Sequence, residues 1–156
     1  MIRVVFIRHG EAASQGAQGD HSRKLTEAGK EKIAQLALTL KGGKLDPEYI
    51  LTSDSSRTLE TCDILREKFP SSKVSALKEL YLASFDDLIV ALSDIELKSG
   101  TVFLIGHNPG WSEIATQLTR APVGLSPGAF CSCLYEGEKS LAAAITEIGA
   151  WRRESF

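Results

Sequence analysis

Two short apolar runs, each ending on a histidine, constrain this chain more than any other feature. The first, Ile2–Arg8, carries Val4-Val5-Phe6-Ile7 into Arg8-His9-Gly10-Glu11. The second, residues 101–106, carries Val102-Phe103-Leu104-Ile105 into Gly106-His107-Asn108-Pro109. Unbroken runs of this length, rich in Val, Ile and Phe, read as strands buried on both faces. Between them lie stretches with apolar residues at helical spacing. Strands alternating with helices predict an α/β chain whose sheet is largely parallel. In such a sheet both strands deliver their histidines to one edge, the edge where ligands bind.

The other elements fit this frame. Residues 26–40 place Ile33, Leu36, Ala37 and Leu40 on one helical face, with Thr26 as N-cap and Gly42-Gly43 as the stop. Residues 49–52 form a short strand. Residues 55–69 carry Leu59, Cys62, Leu65 and Phe69 on one face and end before Pro70. A strand is expected at Lys73–Leu77, a helix over 84–95 on Leu88, Leu92 and Ile95, and a helix over 111–118 after Pro109. Residues 129–134 and 142–146 are expected to close the chain as two strands, an antiparallel pair at one edge. Residues 10–24, polar and rich in Gly, Ala and Ser, read as a loop. The expectation is one domain over 1–156, a three-layer α/β/α sandwich around a mostly parallel sheet of about six strands.

Charge and cysteine content narrow the function. Against 18 Lys and Arg stand 20 Asp and Glu, a net charge of −2, so no basic surface marks a nucleic-acid partner. No apolar window approaches the ~20 residues that cross a bilayer, so no membrane partner is expected. Arg3 and Arg8 flank an apolar run far shorter than a secretion signal needs. Three cysteines, at 62, 131 and 133, show no metal-binding spacing and read as reduced, buried thiols of a cytoplasmic protein.

The chemistry gathers at the strand ends. Ser53-Asp54-Ser55-Ser56-Arg57 follows the 49–52 strand and opens a helix, and a helix N-terminus offers free N–H groups and a positive dipole to an anion. Arg57 adds a bidentate phosphate donor. Arg8, His9, Arg57 and His107 therefore converge on one small volume in a net-acidic protein, a site for a phosphoryl group. A neutral imidazole is a nucleophile toward phosphorus, and fixed cations stabilise the equatorial oxygens of the group in flight. No cofactor and no metal are called for: the arginines supply the positive charge, and no dense Asp/Glu cluster is present. A glycine beside each histidine leaves room for a ligand's close approach.

Arg8-His9-Gly10-Glu11 resembles the RHGE signature of the histidine phosphatase superfamily, in its phosphoglycerate mutase-like branch. Ser53, Arg57 and Thr61 look like the family's S-x3-R-x3-T segment, and Gly106-His107-Asn108-Pro109 like its second-histidine motif. Residues 20–29, DHSRKLTEAG, are similar to D-x-x-R-P-L-T-x-x-G, with Lys24 in place of the usual Pro. Only about 30 residues separate Leu77 from His107, room for one helix and no lid. That length, and Leu80-Tyr81-Leu82-Ala83-Ser84 before a helix, are similar to the compact SixA-like phosphohistidine phosphatases. The resemblance implies that His9 is the nucleophile and that Arg8, Arg57 and His107 bind and polarise the phosphoryl group.

Other residues carry open readings. Glu79 is the nearest candidate for the family's proton donor, without its usual surrounding signature. Glu11 orients nearby groups or is a solvated carboxylate. Ser53 and Asn108 are candidate phosphate contacts, Asn108 alternatively only starting the helix. Asp20 and Arg23 form an ion pair that orders the loop over the pocket, or a surface pair of little consequence. His21 reads as surface, Trp111 and Trp151 as packing. An alkoxide leaves poorly without general-acid help, worth ~10²–10⁴-fold, whereas a protonated imidazole leaves readily. The expected function is thus a metal-independent phosphatase acting on phosphohistidine in proteins. The alternatives are a small-molecule phosphomonoesterase acting on a phosphorylated metabolite, and a non-catalytic phosphate-binding module.

Overall fold

A computed structural model describes all of residues 1–156. Six strands form one sheet in the order β3-β2-β4-β1-β5-β6: β1 Ile2–Arg8, β2 Tyr49–Ser53, β3 Lys73–Leu77, β4 Gly100–Gly106, β5 Phe130–Tyr135 and β6 Arg152–Arg153. β1, β4, β2 and β3 run parallel, while β5 and β6 add antiparallel to the edge beyond β1. The sheet is thus mixed, with a parallel centre.

Five helices cover it: α1 Glu27–Gly42, α2 Ser56–Arg66, α3 Phe85–Leu92, α4 Gly110–Thr119 and α5 Leu141–Ala144. Side chains alternate between faces along a strand, and the core divides accordingly. Val5, Ile7, Phe103 and Ile105 face α1 and α2 with Ile33, Leu40 and Leu65. Ile2, Val4, Phe6, Val102 and Leu104 face the other layer with Leu88, Trp111, Ile114 and Ile145. Both central strands are covered on both sides, which is why their sequences are apolar without a break. The Thr26 cap lies where expected, accepting from the Gly29 N–H at 3.0 Å, and α2 is capped by Ser55, which accepts from the Thr58 N–H. No helix is long and apolar enough to cross a membrane.

One expected strand is a helix. Residues 142–146 belong to the single turn α5 and its C-terminal side, and the edge strand is instead β6. Leu141, Ala144 and Ile145 are all buried, a 3–4 spacing that a five-residue apolar run hides. Cys131 and Cys133 do share one face of β5, buried, with their sulfurs 3.9 Å apart.

The glycines beside the histidines make room for the protein itself. A Cβ on Gly106 would lie 2.6 Å from two atoms of the fully buried Trp111 ring, and one on Gly10 would lie 2.9 Å from Ile33. Trp111 is fixed by the bond from its indole N–H to the Leu104 carbonyl, 2.9 Å. Gly106→Ala is therefore expected to cost about 1–3 kcal/mol, read as a lower urea midpoint with an unchanged slope. An unaltered midpoint would contradict this packing.

Candidate active site

Parallel pairing brings the site together. Arg8 stands opposite Gly106 in the β1–β4 register, and the His9 amide donates to the Gly106 carbonyl at 3.1 Å. The two histidines follow these paired ends, with ring centroids 5.4 Å apart. β2 ends beside them in Ser53, and the first turn of α2 carries Arg57 under both rings. His9, Arg57 and His107 are 8%, 3% and 2% exposed.

The partners fix the tautomers. His9 Nδ1 lies 2.7 Å from the Gly10 carbonyl. A carbonyl only accepts, so in the neutral ring Nδ1 carries the proton and Nε2 keeps its lone pair. Arg57 Nε–H points at that lone pair from 3.3 Å. Arg57 Nη2 likewise donates toward His107 Nδ1 at 3.3 Å, leaving the His107 proton on Nε2, directed to Ser53 Oγ at 2.8 Å. Burial pushes the His9 imidazole down to about 4. The Gly10 carbonyl pulls it back up, and the charges of Arg57, Arg8 and Arg23 push it further down. Burial, then Arg57 and His9, hold His107 at about 3. Both rings are neutral at pH 7. Thr61 ties the two motifs, accepting from the Gly10 amide at 3.2 Å and donating to the Arg57 carbonyl at 2.8 Å.

Arg8 donates through Nη1 to the Leu125 carbonyl at 2.9 Å. Its Nε is the one buried side-chain nitrogen or oxygen without a partner, and burial lowers its pKa. A buried donor left over on the residue before His9, its charge felt by that imidazole, is what an anion site requires.

The remaining candidates fall differently. Ser53 is wholly buried, and its hydroxyl meets His107 Nε2 at 2.8 Å. Asn108 donates to the Leu125 carbonyl at 2.8 Å and accepts from the Ser112 amide and hydroxyl, so its amide starts α4. Glu11 accepts from the Thr26 hydroxyl at 2.8 Å and anchors the loop to α1. Glu79 is exposed in the single 3-10 turn Lys78–Leu80, and no hydrogen bond or ion pair joins it to the four central residues.

Tyr81, two residues on, does reach the site: its ring meets His107 edge-on at 5.3 Å and His21 at 4.9 Å. Its hydroxyl donates to Asp20 Oδ2. Asp20 also takes two bonds from Arg57, to its carbonyl at 2.7 Å and to Oδ2 at 3.0 Å, and one from Arg23 at 2.9 Å. His21 Nε2 lies 2.9 Å from Asp54 Oδ1. The Asp20–Arg23 pair thus orders the loop at the pocket, and the pocket has a rim. Sequence reasoning passed over Tyr81, although it lay within a segment already singled out.

Residues 4–94 match the family described as the histidine phosphatase superfamily, branch 1. His107 lies beyond the matched segment. An uncharacterized chloroplastic protein of Arabidopsis thaliana is 26% identical, over 99% of this chain and 76% of its own length. Among solved structures, the protein histidine phosphatase SixA complexed with tungstate is 22% identical with a TM-score of 0.80, covering 98% of this chain and 94% of that one. A mycobacterial glucosyl-3-phosphoglycerate phosphatase is 19% identical with a TM-score of 0.71, covering 97% and 96%.

Proposed function

The chain belongs to branch 1 of the histidine phosphatase superfamily and is a phosphatase SixA-like in fold, and we propose that it dephosphorylates phosphohistidine in proteins through a phosphoryl group carried on His9. The observation that carries this reading is a neutral nucleophile without a protonated acid. His9 Nε2 keeps its lone pair toward Arg57, while no carboxylic acid stands ready to protonate a departing oxygen. Glu79 has no bond to the site. Asp20 is bound by Tyr81, Arg23 and Arg57 and held well below the usual carboxylate range, the Tyr81 hydroxyl being the largest cause.

His9 Nε2 attacks phosphorus and the P–N bond of the substrate breaks. Its electron pair stays on the leaving imidazole, whose other nitrogen takes a proton from solvent before the bond breaks, so that it departs neutral. Arg8 and Arg57 neutralise the equatorial oxygens. Water then attacks the phosphoryl group on His9, and its proton passes to the released phosphate. A phosphoester would instead release an alkoxide, at the ~10²–10⁴-fold disadvantage of a missing general acid.

The test compares donors. With EDTA present, a phosphohistidine protein should release many equivalents of phosphate, and 3-phosphoglycerate should turn over at least ~10²-fold more slowly in kcat/KM. Comparable or faster turnover of 3-phosphoglycerate would transfer the assignment to small phosphomonoesters.

A further inference from the structure

Arginine presents two bidentate edges. One is formed by Nε and Nη2, the other by Nη1 and Nη2. In Arg57 the first edge faces the two imidazoles, Nε toward His9 and Nη2 toward His107, both at 3.3 Å. The second edge is taken by one residue: Nη1 donates to the Asp20 carbonyl at 2.7 Å and Nη2 to its carboxylate at 3.0 Å. The contacts toward the rings are long for hydrogen bonds, and those toward Asp20 are of ordinary length. Arg57 is therefore gripped from behind and held loosely in front. The loosely held edge is the one that phosphoryl oxygens would occupy.

We propose that Asp20 is a positioning residue for Arg57: its carbonyl and carboxylate fix one edge of the guanidinium so that the other stays turned to the space between His9 and His107. Tyr81 and Arg23 complete the device. The Tyr81 hydroxyl and Arg23 Nη1 hold the two carboxylate oxygens, and Arg23 Nε donates to the Ala13 carbonyl at 2.6 Å, closing the loop on itself. Tyr81 comes from the segment after β3 and Asp20 from the loop after β1. Two connections that share no secondary structure thus meet on one carboxylate behind the phosphoryl-binding arginine. Asp20 is the only acidic residue bonded to Arg57. A buried guanidinium between two neutral rings needs such an anion, and without it the Asp20 carbonyl alone holds that edge, at one point instead of two. The proposal rests on the phosphatase reading of this site but not on the preference for phosphohistidine.

A double-mutant cycle tests it, because a residue that acts through Arg57 has nothing to act on once the fork is gone. Asp20→Ala and Arg57→Lys are made singly and together. They are measured by kcat/KM with p-nitrophenyl phosphate and, independently of turnover, by tungstate affinity. Asp20→Ala should lower kcat/KM about tenfold or more in the wild-type background and less than about twofold beside Arg57→Lys. Asp20→Asn, which keeps an oxygen for Nη2, should recover part of the loss. Tyr81→Phe should fall in the same direction by less. Equal losses from Asp20→Ala in both backgrounds, or no loss in the first, would overturn the proposal and leave Asp20 a tie within the loop. If no donor releases phosphate, the phosphatase reading falls, and the tungstate cycle still decides the role of Asp20.

Discussion

His9→Gln should abolish phosphoryl transfer, lowering kcat by ~10⁴-fold or more, the scale on which loss of a nucleophile acts. The side chain stays of similar length and polar, but no lone pair of imidazole basicity is left opposite Arg57 Nε. Arg57, His107 and Arg8 remain to hold the oxyanion, so tungstate affinity should change by less than about tenfold. This split, rate lost and binding kept, separates a nucleophile from a ligand. A rapid alkaline quench with labelled donor gives the direct readout. Acid-labile, alkali-stable label should form on the wild type and be absent from the variant. Label surviving on the variant would place the phosphoryl group elsewhere, and His107 would be the residue to examine. A loss below tenfold would remove covalent catalysis at position 9 altogether.

The four central residues were legible because strand chemistry and motif order speak together. An apolar run buried on both faces must end at the sheet edge, and parallel pairing then sets Arg8 beside Gly106 whatever the loops do. The Thr26 cap was legible for a local reason, a hydroxyl just ahead of a helical apolar period. Asp20 was legible only as half of an ion pair. What it does depends on Tyr81, 61 positions away, and no spacing rule joins a residue of a polar loop to one after a third strand. Ser53 was placed at the site, and the structure turns its hydroxyl to His107 Nε2. The sequence shows a hydroxyl at a strand end, not which group it meets. The turn α5 was misread because five consecutive apolar residues have no period to betray, and only the burial of Leu141, Ala144 and Ile145 on one side decides it. The glycines at 10 and 106 were read as approaches for a ligand, while Ile33 and Trp111 are what come close.

The neutral histidine pair should also set how the fold responds to acid. An unfolded histidine takes its proton near pH 6.5, whereas folded His9 does so only at about 4 and His107 at about 3. In that window the unfolded chain binds protons that the fold refuses, so stability rises with pH. The contribution is fully present above 6.5, is lost as pH falls toward 4, and amounts to order 3 kcal/mol for His9 alone. Carboxylates titrate in the same range, so the rings are isolated by difference. Urea unfolding at pH 7 and pH 4.5 should show a smaller loss for His107→Gln than for the wild type, by roughly one proton's worth of slope. Equal losses would mean that the rings titrate normally in the fold. A bound oxyanion reverses the local field, because a dianion between the rings favours the protonated form of each. Tungstate should therefore raise both midpoints and bind with proton uptake, visible as a dependence of binding heat on buffer ionisation. His107 is the ring that gains from this. Its Nδ1 faces Arg57 as an acceptor in the free protein, and on protonation it becomes a donor to the oxygens that arrive there. A site that holds two imidazoles neutral until a charge arrives needs both burial and fixed positive charge beside them. Those are the features that the two strand ends and the start of α2 place together.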